Sequence, residues 1–202
     1  MSYTTTPTKN SASNICAGPA LITLLAVQII VGYEWLASGI TKVASGTFVS
    51  GMAAALKEKD DKAAHWYKTF INDSIIPNAH TFAVLIEVGE IMVGVGFIAA
   101  AIVWLTRWSR LSDRLRTSVL ATVMLAAVGS TFMAINFHLV NGGNHPWLIP
   151  KEGFDETIDL DMMLVMIQGA FFVFSGYLLL KIRREHNTAG SPSVHGALPE
   201  PS

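Results

Sequence analysis

Glu34 and Lys42 stand in one long apolar run, and Glu87 and Glu90 stand in another. An ionised group in hydrocarbon is costly and requires a partner or a task, so these four are the first candidates for chemistry. Carboxylates beside an amine can hold and pass protons, and Lys42 can offset one of the carboxylates. Glu34, Ser38 and Lys42 follow an i, i+4, i+8 stripe, which sets Glu34 and Lys42 about 80° apart around a helix. They share a face but lie too far apart for a direct helical ion pair. Glu87 and Glu90, three apart, also share a face. Asn136, His138 and Asn141 close a third apolar run, while Asp159 and Asp161 open a fourth that carries Gln168 deeper in.

Other chemistries find less footing. His138 and His145 are separated by a flexible turn and do not form a facing pair, so neither haem nor a metal is expected. The single cysteine, Cys16, excludes an internal disulfide, a CxxC redox centre, a cysteine-ligated iron–sulfur cluster and a cysteine-rich zinc site. There is no glycine-rich phosphate loop, serine elbow or HExxH. Gly32, Gly39, Gly89, Gly94 and Gly96 read as small residues that let helices approach closely. Met162, Met163 and Met166 read as core or lipid contact.

The elements that must position these groups are set by composition. Hydrophobic residues make up 51% of the 202 and charged residues 14%. A soluble domain carries roughly a quarter charged residues, so this chain is expected in a bilayer. The 14 basic and 15 acidic residues leave a net charge of −1, which argues against nucleic-acid binding. Long apolar runs occur from about Pro19 to Lys42, Thr81 to Leu105, Thr117 to Leu139 and Leu160 to Leu180. None alternates like a barrel strand, so the fold class is all-α: an integral membrane four-helix bundle. The first run is too long for a signal peptide and has no cleavage site after it. Residues 1–18 form a polar N-terminal tail, 19–182 the membrane domain, and 183–202 a tail expected to be disordered. Between runs one and two, Val49, Met52, Ala53 and Leu56, then Trp66, Phe70 and Ile71, recur at helical spacing. That stretch reads as a helical segment on the membrane surface, a connector or a lid. The loop from Val140 to Asp159, with Gly142, Gly143 and Pro146, cannot be regular helix.

Arg107, Arg110, Arg114 and Arg116 lie between runs two and three, and Lys181, Arg183 and Arg184 follow run four. Lysines on the other side are scattered, so both termini are expected in the cytoplasm. Trp104 and Trp108 at the arginine side fit an interfacial aromatic belt. From Arg107 back to Glu87, from Arg116 up to Asn136 and from Lys181 back to Asp161 is each 20 residues, or about 30 Å of helix. The polar groups of all four runs therefore fall at one level near the outer leaflet, above an almost wholly apolar inner half. That same level is the hydrocarbon boundary, where Glu87, His138 and Asp161 can also simply meet headgroup water.

Run one reads Gly32-Tyr33-Glu34-Trp35-Leu36-Ala37-Ser38-Gly39-Ile40-Thr41-Lys42, and run two sets Glu87 and Glu90 ahead of Gly94 and Gly96. With four spans and a surface segment between the first two, the chain resembles the DoxX/DoxD family over about residues 20–180. The resemblance implies a membrane subunit of a redox complex in the plasma membrane, of the thiosulfate:quinone oxidoreductase type, with quinone as a ligand and a second redox subunit as partner. It supplies no residue-level catalytic map. On depth alone, Glu34, Lys42, Glu87 and Glu90 are the catalytic candidates, and Ser38, Asn136, His138 and Asp161 the substrate-binding ones. Lys42 and His138 would donate hydrogen bonds to a quinone while the glutamates relay protons. Two other classes stay open: a membrane anchor for a redox partner, and a small proton- or cation-coupled transporter. Self-association is open as well.

Overall fold

The computed structural model describes residues 18–59, 61, 63, 65–142 and 159–189. The polar start, Cys16, the loop residues Gly143 to Trp147 with His145, and the tail beyond 189 lie outside the described residues.

Length and apolarity dominate each helix. Helix α1 runs Pro19–Ser45, opening with a proline in its first turn, where the missing N–H has no intrahelical partner to lose. It ends at Gly46, whose φ of 65° lets its N–H return to Val43 O. Helix α2, Phe48–Lys59, and the short α3, His65–Phe70, form the segment between the first two spans. A π turn, Ile71–Ile75, and a 3₁₀ turn, Ile76–Asn78, carry the chain into α4, Ala79–Arg107. The change of winding falls at Pro77, which has no N–H for a regular helical bond. After the 3₁₀ turn Trp108–Arg110 come α5, Asp113–Val140, and α6, Leu160–Ala189. Asp159 starts α6 as a side-chain cap, accepting the Met162 N–H at 2.8 Å. No strand occurs among the described residues.

Helices α1, α4, α5 and α6 are long and apolar enough to cross a membrane. They alternate in direction, with α1 against α4, α4 against α5 and α5 against α6. Each also turns large apolar side chains outward, among them Ile30, Met92, Leu125 and Val173. Such a surface fits acyl chains and would drive aggregation in water. The chain is a multi-pass membrane protein.

Three apolar layers stack along the bundle. Val31, Trp35, Phe97, Val123 and Phe171 fill the middle. Leu21, Leu25, Trp104, Leu120 and Leu178 close the arginine end. Met52, Leu56, Tyr67, Ile71 and Ile75 pack on Ala79, Ala83 and Leu139 at the opposite end. The α2–α3 segment is thus a hood over one end of the bundle.

Several expectations change. The hood buries Tyr67, Ile71 and Ile75, whereas Trp66 is 68% exposed and Phe70 44% exposed. The wide π turn takes more residues per turn, so positions four apart keep facing the bundle. Trp104 is a core residue, stacked on Trp108 at 3.7 Å, rather than part of a lipid-facing belt. Helix α6 continues beyond the expected boundary at 183, through Arg184 to Ala189.

Glycines hold α1 against α4. A methyl group on Gly94 would stand 2.6 Å from Leu36 N and 2.7 Å from Gly32 O, both backbone atoms that cannot rotate away. Gly89 and Gly96 instead face α5, and a methyl group on Gly96 would meet Thr122 and Ala126 at ordinary distances of 3.5 and 3.7 Å. Gly94→Ala should therefore lower stability by about 1–3 kcal/mol through overpacking. Gly96→Ala should be neutral or gain about 0.5 kcal/mol from helix propensity. Thermal unfolding of the two variants in detergent checks the contrast, and equal effects would contradict the packing assigned to Gly94.

Candidate functional site

Near the hood end of α1, the Lys42 ammonium crosses to α4. Its Nζ donates to both carboxylate oxygens of Glu90, each at 2.7 Å, and to Ser38 Oγ at 2.6 Å. Glu90 is fully buried, and the Lys42 side chain is 22% exposed. Ser38 precedes Lys42 by one helical turn, which is why its hydroxyl reaches the same ammonium. Gly39 supplies the room: a methyl group there would press on Glu90 Cβ at 3.0 Å. The Phe48 and Phe137 ring centroids lie 5.4 and 5.8 Å from Lys42 Nζ, adding quadrupole attraction to the ion pair.

Lys42 and Ser38 form part of the wall of a cavity of about 620 Å³ beneath the hood. Phe48, Gly51, Met52 and Leu56 of α2 contribute to it, with Tyr67 and Phe70 of α3, Phe82 and Ile86 of α4, and Phe132, Met133, Asn136 and Phe137 of α5. The lining is mostly apolar and rich in aromatic rings. Its polar groups are Lys42 with Ser38, Tyr67 with Asn136, Lys59 with Asn141 and Asp161, and Thr47. Glu90 sits behind Lys42 and outside the wall.

Two hydrogen bonds tie the hood to α5. Tyr67 OH donates to Asn136 Oδ1 at 2.5 Å, and Lys59 Nζ donates to Asn141 Oδ1 at 2.7 Å. Asn136 Nδ2 gives one hydrogen to Phe132 O at 2.7 Å, and an amide carries two.

Of the eight sequence-predicted residues, the structure gathers Ser38, Lys42, Asn136 and Asp161 on one cavity, with Glu90 directly behind. Glu34 does not join them. It is exposed, because successive i+4 steps rotate by about 40° and carry it off the face that Lys42 occupies. Trp35 takes the core position instead, stacking with Phe137 at a centroid distance of 6.4 Å. Glu87 is half-buried and close enough to Glu90 to repel it electrostatically, but it does not line the cavity. His138 is buried and bonds through Nδ1 to Asp159 Oδ2, joining the end of α5 to the start of α6. Its Nδ1 is engaged there rather than in the cavity wall.

Sequence reasoning missed Tyr67, Phe48, Phe82, Phe132 and Phe137, all of which line the cavity. The four-residue spacing of Tyr67, Ile71 and Ile75 was the available signal for the first. Gln28 is a buried polar group in the inner half and donates to Phe97 O at 2.8 Å, and higher up Thr131 donates to Gln168 Oε1 at 3.2 Å. No cluster of metal-ligating side chains occurs among the described residues.

Comparison with protein-family models, with curated proteins and with solved structures yields no match. The site must be read from its own geometry.

Removing one member of a buried ion pair strands the other charge. Lys42→Met should cost about 3–5 kcal/mol, and Lys42→Met combined with Glu90→Leu should recover most of that loss. Chemical denaturation of the single and double variants in mixed micelles measures the coupling. Additive losses would show that the contact carries little energy.

Proposed function

We propose that the chain is a quinone-interacting membrane subunit of a redox complex, and a member of the DoxX/DoxD family. The carrying observation is the cavity, a ring-lined apolar space with a charged hydrogen-bond donor, Lys42, in its wall. Its volume lies within the usual range for small-ligand sites, about 300–1,000 Å³. A quinone ring presents flat apolar faces and carbonyl oxygens that accept hydrogen bonds. Phe48, Phe82, Phe132 and Phe137 suit the faces. Lys42 and the second amide hydrogen of Asn136 suit the oxygens.

Each residue then has a task. Lys42 donates to a carbonyl oxygen, which competes with Ser38 for one ammonium hydrogen. Glu90 is a positioning residue: both its oxygens accept from the ammonium and fix its place in the wall. Tyr67 orients the Asn136 amide by occupying its oxygen. The hood limits access of water to the ring. A quinone bound there supplies two-electron, two-proton chemistry, and the electrons come from a second redox subunit. On this reading the hood faces the outside of the plasma membrane, and both termini and the arginine loop face the cytoplasm, as the basic residues favour.

Full-length protein in lipid nanodiscs, titrated with a decyl-tailed benzoquinone, tests this reading. Saturable binding is expected, weakened about ten-fold or more by Asn136→Ala and by Lys42→Met. Gly51→Phe supplies a variant that avoids the ion pair. A side chain at Gly51 meets open space, so it fills the cavity without displacing the core, and it should abolish binding. No saturable binding to the unaltered protein, or undiminished binding by all three variants, overturns the assignment.

A further inference from the structure

The cavity extends between two levels of the bundle. Lys59, Asn141 and Asp161 bound it at one end. Asp161 is 20 residues from Lys181, or about 30 Å of helix, at the hydrocarbon boundary. Phe132 also lines the cavity, and it stands only 16 residues above Arg116. That is about 24 Å, or some 6 Å inside the hydrocarbon. Yet Phe132 is 69% exposed, and Phe70, on the facing side of the hood, is 44% exposed. Side chains that both line a cavity and meet acyl chains mark a place where the two spaces adjoin.

Polarity is distributed the same way. Lys59 and Asn141 are bonded to each other, tying the end of α2 to the end of α5 on the aqueous side. The flank at Phe132, Met133 and Phe70 has no charged lining residue. The hood is thus tied by Lys59 at the rim and by the Tyr67–Asn136 hydrogen bond one helical turn from Phe132, while the flank itself carries no charge.

We infer that the cavity opens sideways into the bilayer between α3 and α5, past Phe132, Met133 and Phe70, and that its ligand is a tailed, lipid-soluble molecule whose ring lies under the hood while its chain stays among the acyl chains. This rests on the quinone reading for the identity of the ring and adds the tail and the route. A tail-free, water-soluble molecule gains nothing from an opening at this depth, whereas each methylene of a tail gains from staying in hydrocarbon.

The test uses full-length protein in nanodiscs and two probes, a benzoquinone with a decyl tail and its tail-free parent, each at known membrane concentration. A diazirine at the tip of the tail reports where the chain lies. Per membrane concentration the tailed probe should bind at least as tightly as its tail-free parent, because its chain never leaves the hydrocarbon. Its crosslinks should fall on α5 around Phe132 and on α3 around Phe70. Val128→Trp, one helical turn below Phe132 on the exposed face of α5 and outside the cavity lining, should slow association of the tailed probe at least about five-fold and leave its tail-free parent unchanged. A tailed probe bound about ten-fold or more weakly than its parent, or crosslinks confined to Lys57–Lys59 and Asn141, overturns the lateral portal while leaving the ring site intact. Binding of neither probe overturns the quinone reading and the portal together.

Discussion

Everything at the hood end depends on keeping one ammonium and one carboxylate together away from bulk water. Glu90 is fully buried in α4, and an isolated carboxylate there would be prohibitively costly. Lys42 makes it tenable by donating to both oxygens, and this requires α1 and α4 to approach closely. Close approach is a backbone property before it is an electrostatic one. Gly32 lies on Gly94, and Gly39 lies on Glu90 and Ile91, so at those points α1 contributes no side chain to hold the helices apart. Glycine, ion pair and cavity wall are consequences of a single constraint on the spacing of two helices.

The hood follows from the opposite problem. The α2–α3 segment is too short and too charged to cross a membrane, yet Met52, Leu56, Tyr67, Ile71 and Ile75 need burial. It solves this by lying across the ends of α4 and α5, where Ala79 and Ala83 are small enough to receive it. Because α2 packs chiefly on α4 while α3 reaches α5 through Tyr67, the segment spans a gap instead of filling it. Gly51 and Ala55 leave the underside of α2 thin, and the space between helix ends and hood is the cavity. Two polar ties, Tyr67 to Asn136 and Lys59 to Asn141, hold it in register without plugging it.

The spans were legible because apolarity over twenty or more residues has one physical solution in a bilayer, and the observed helices begin and end within a few residues of the apolar runs, except that α6 continues past Leu180 to Ala189. Depth was legible too: a uniform rise per residue brought Lys42, Glu90, Asn136 and Asp161 to one level. Azimuth was not. Glu34 and Lys42 looked equivalent on an i, i+4 stripe, but only Lys42 remains within reach of α4 after the stripe drifts. His138 had the right depth and faces Asp159 instead of the cavity wall. The hood was the least readable part, because a π turn breaks the regular period on which any assignment of faces relies. Trp66 and Phe70 drew attention by size, while Tyr67, one position away, carries the buried hydroxyl.

Charge decides what kind of ligand the site can favour. The Lys42 ammonium is already matched by Glu90, and at the rim Lys59 donates to Asn141 with the Asp161 carboxyl in the same lining. The cavity therefore offers hydrogen-bond donors without net positive charge. A dianion such as thiosulfate would lose its hydration and meet at Lys42 an ammonium already neutralised by Glu90, with the Asp161 carboxyl in the same lining to oppose it. A neutral carbonyl compound loses little on leaving lipid and gains a charge-assisted hydrogen bond from Lys42. The pairing that makes Glu90 tolerable in the membrane thus also sets the selectivity of the space beside it. On the proposed quinone reading, an anionic co-substrate would be taken by another subunit, and this chain would serve the neutral, membrane-soluble one.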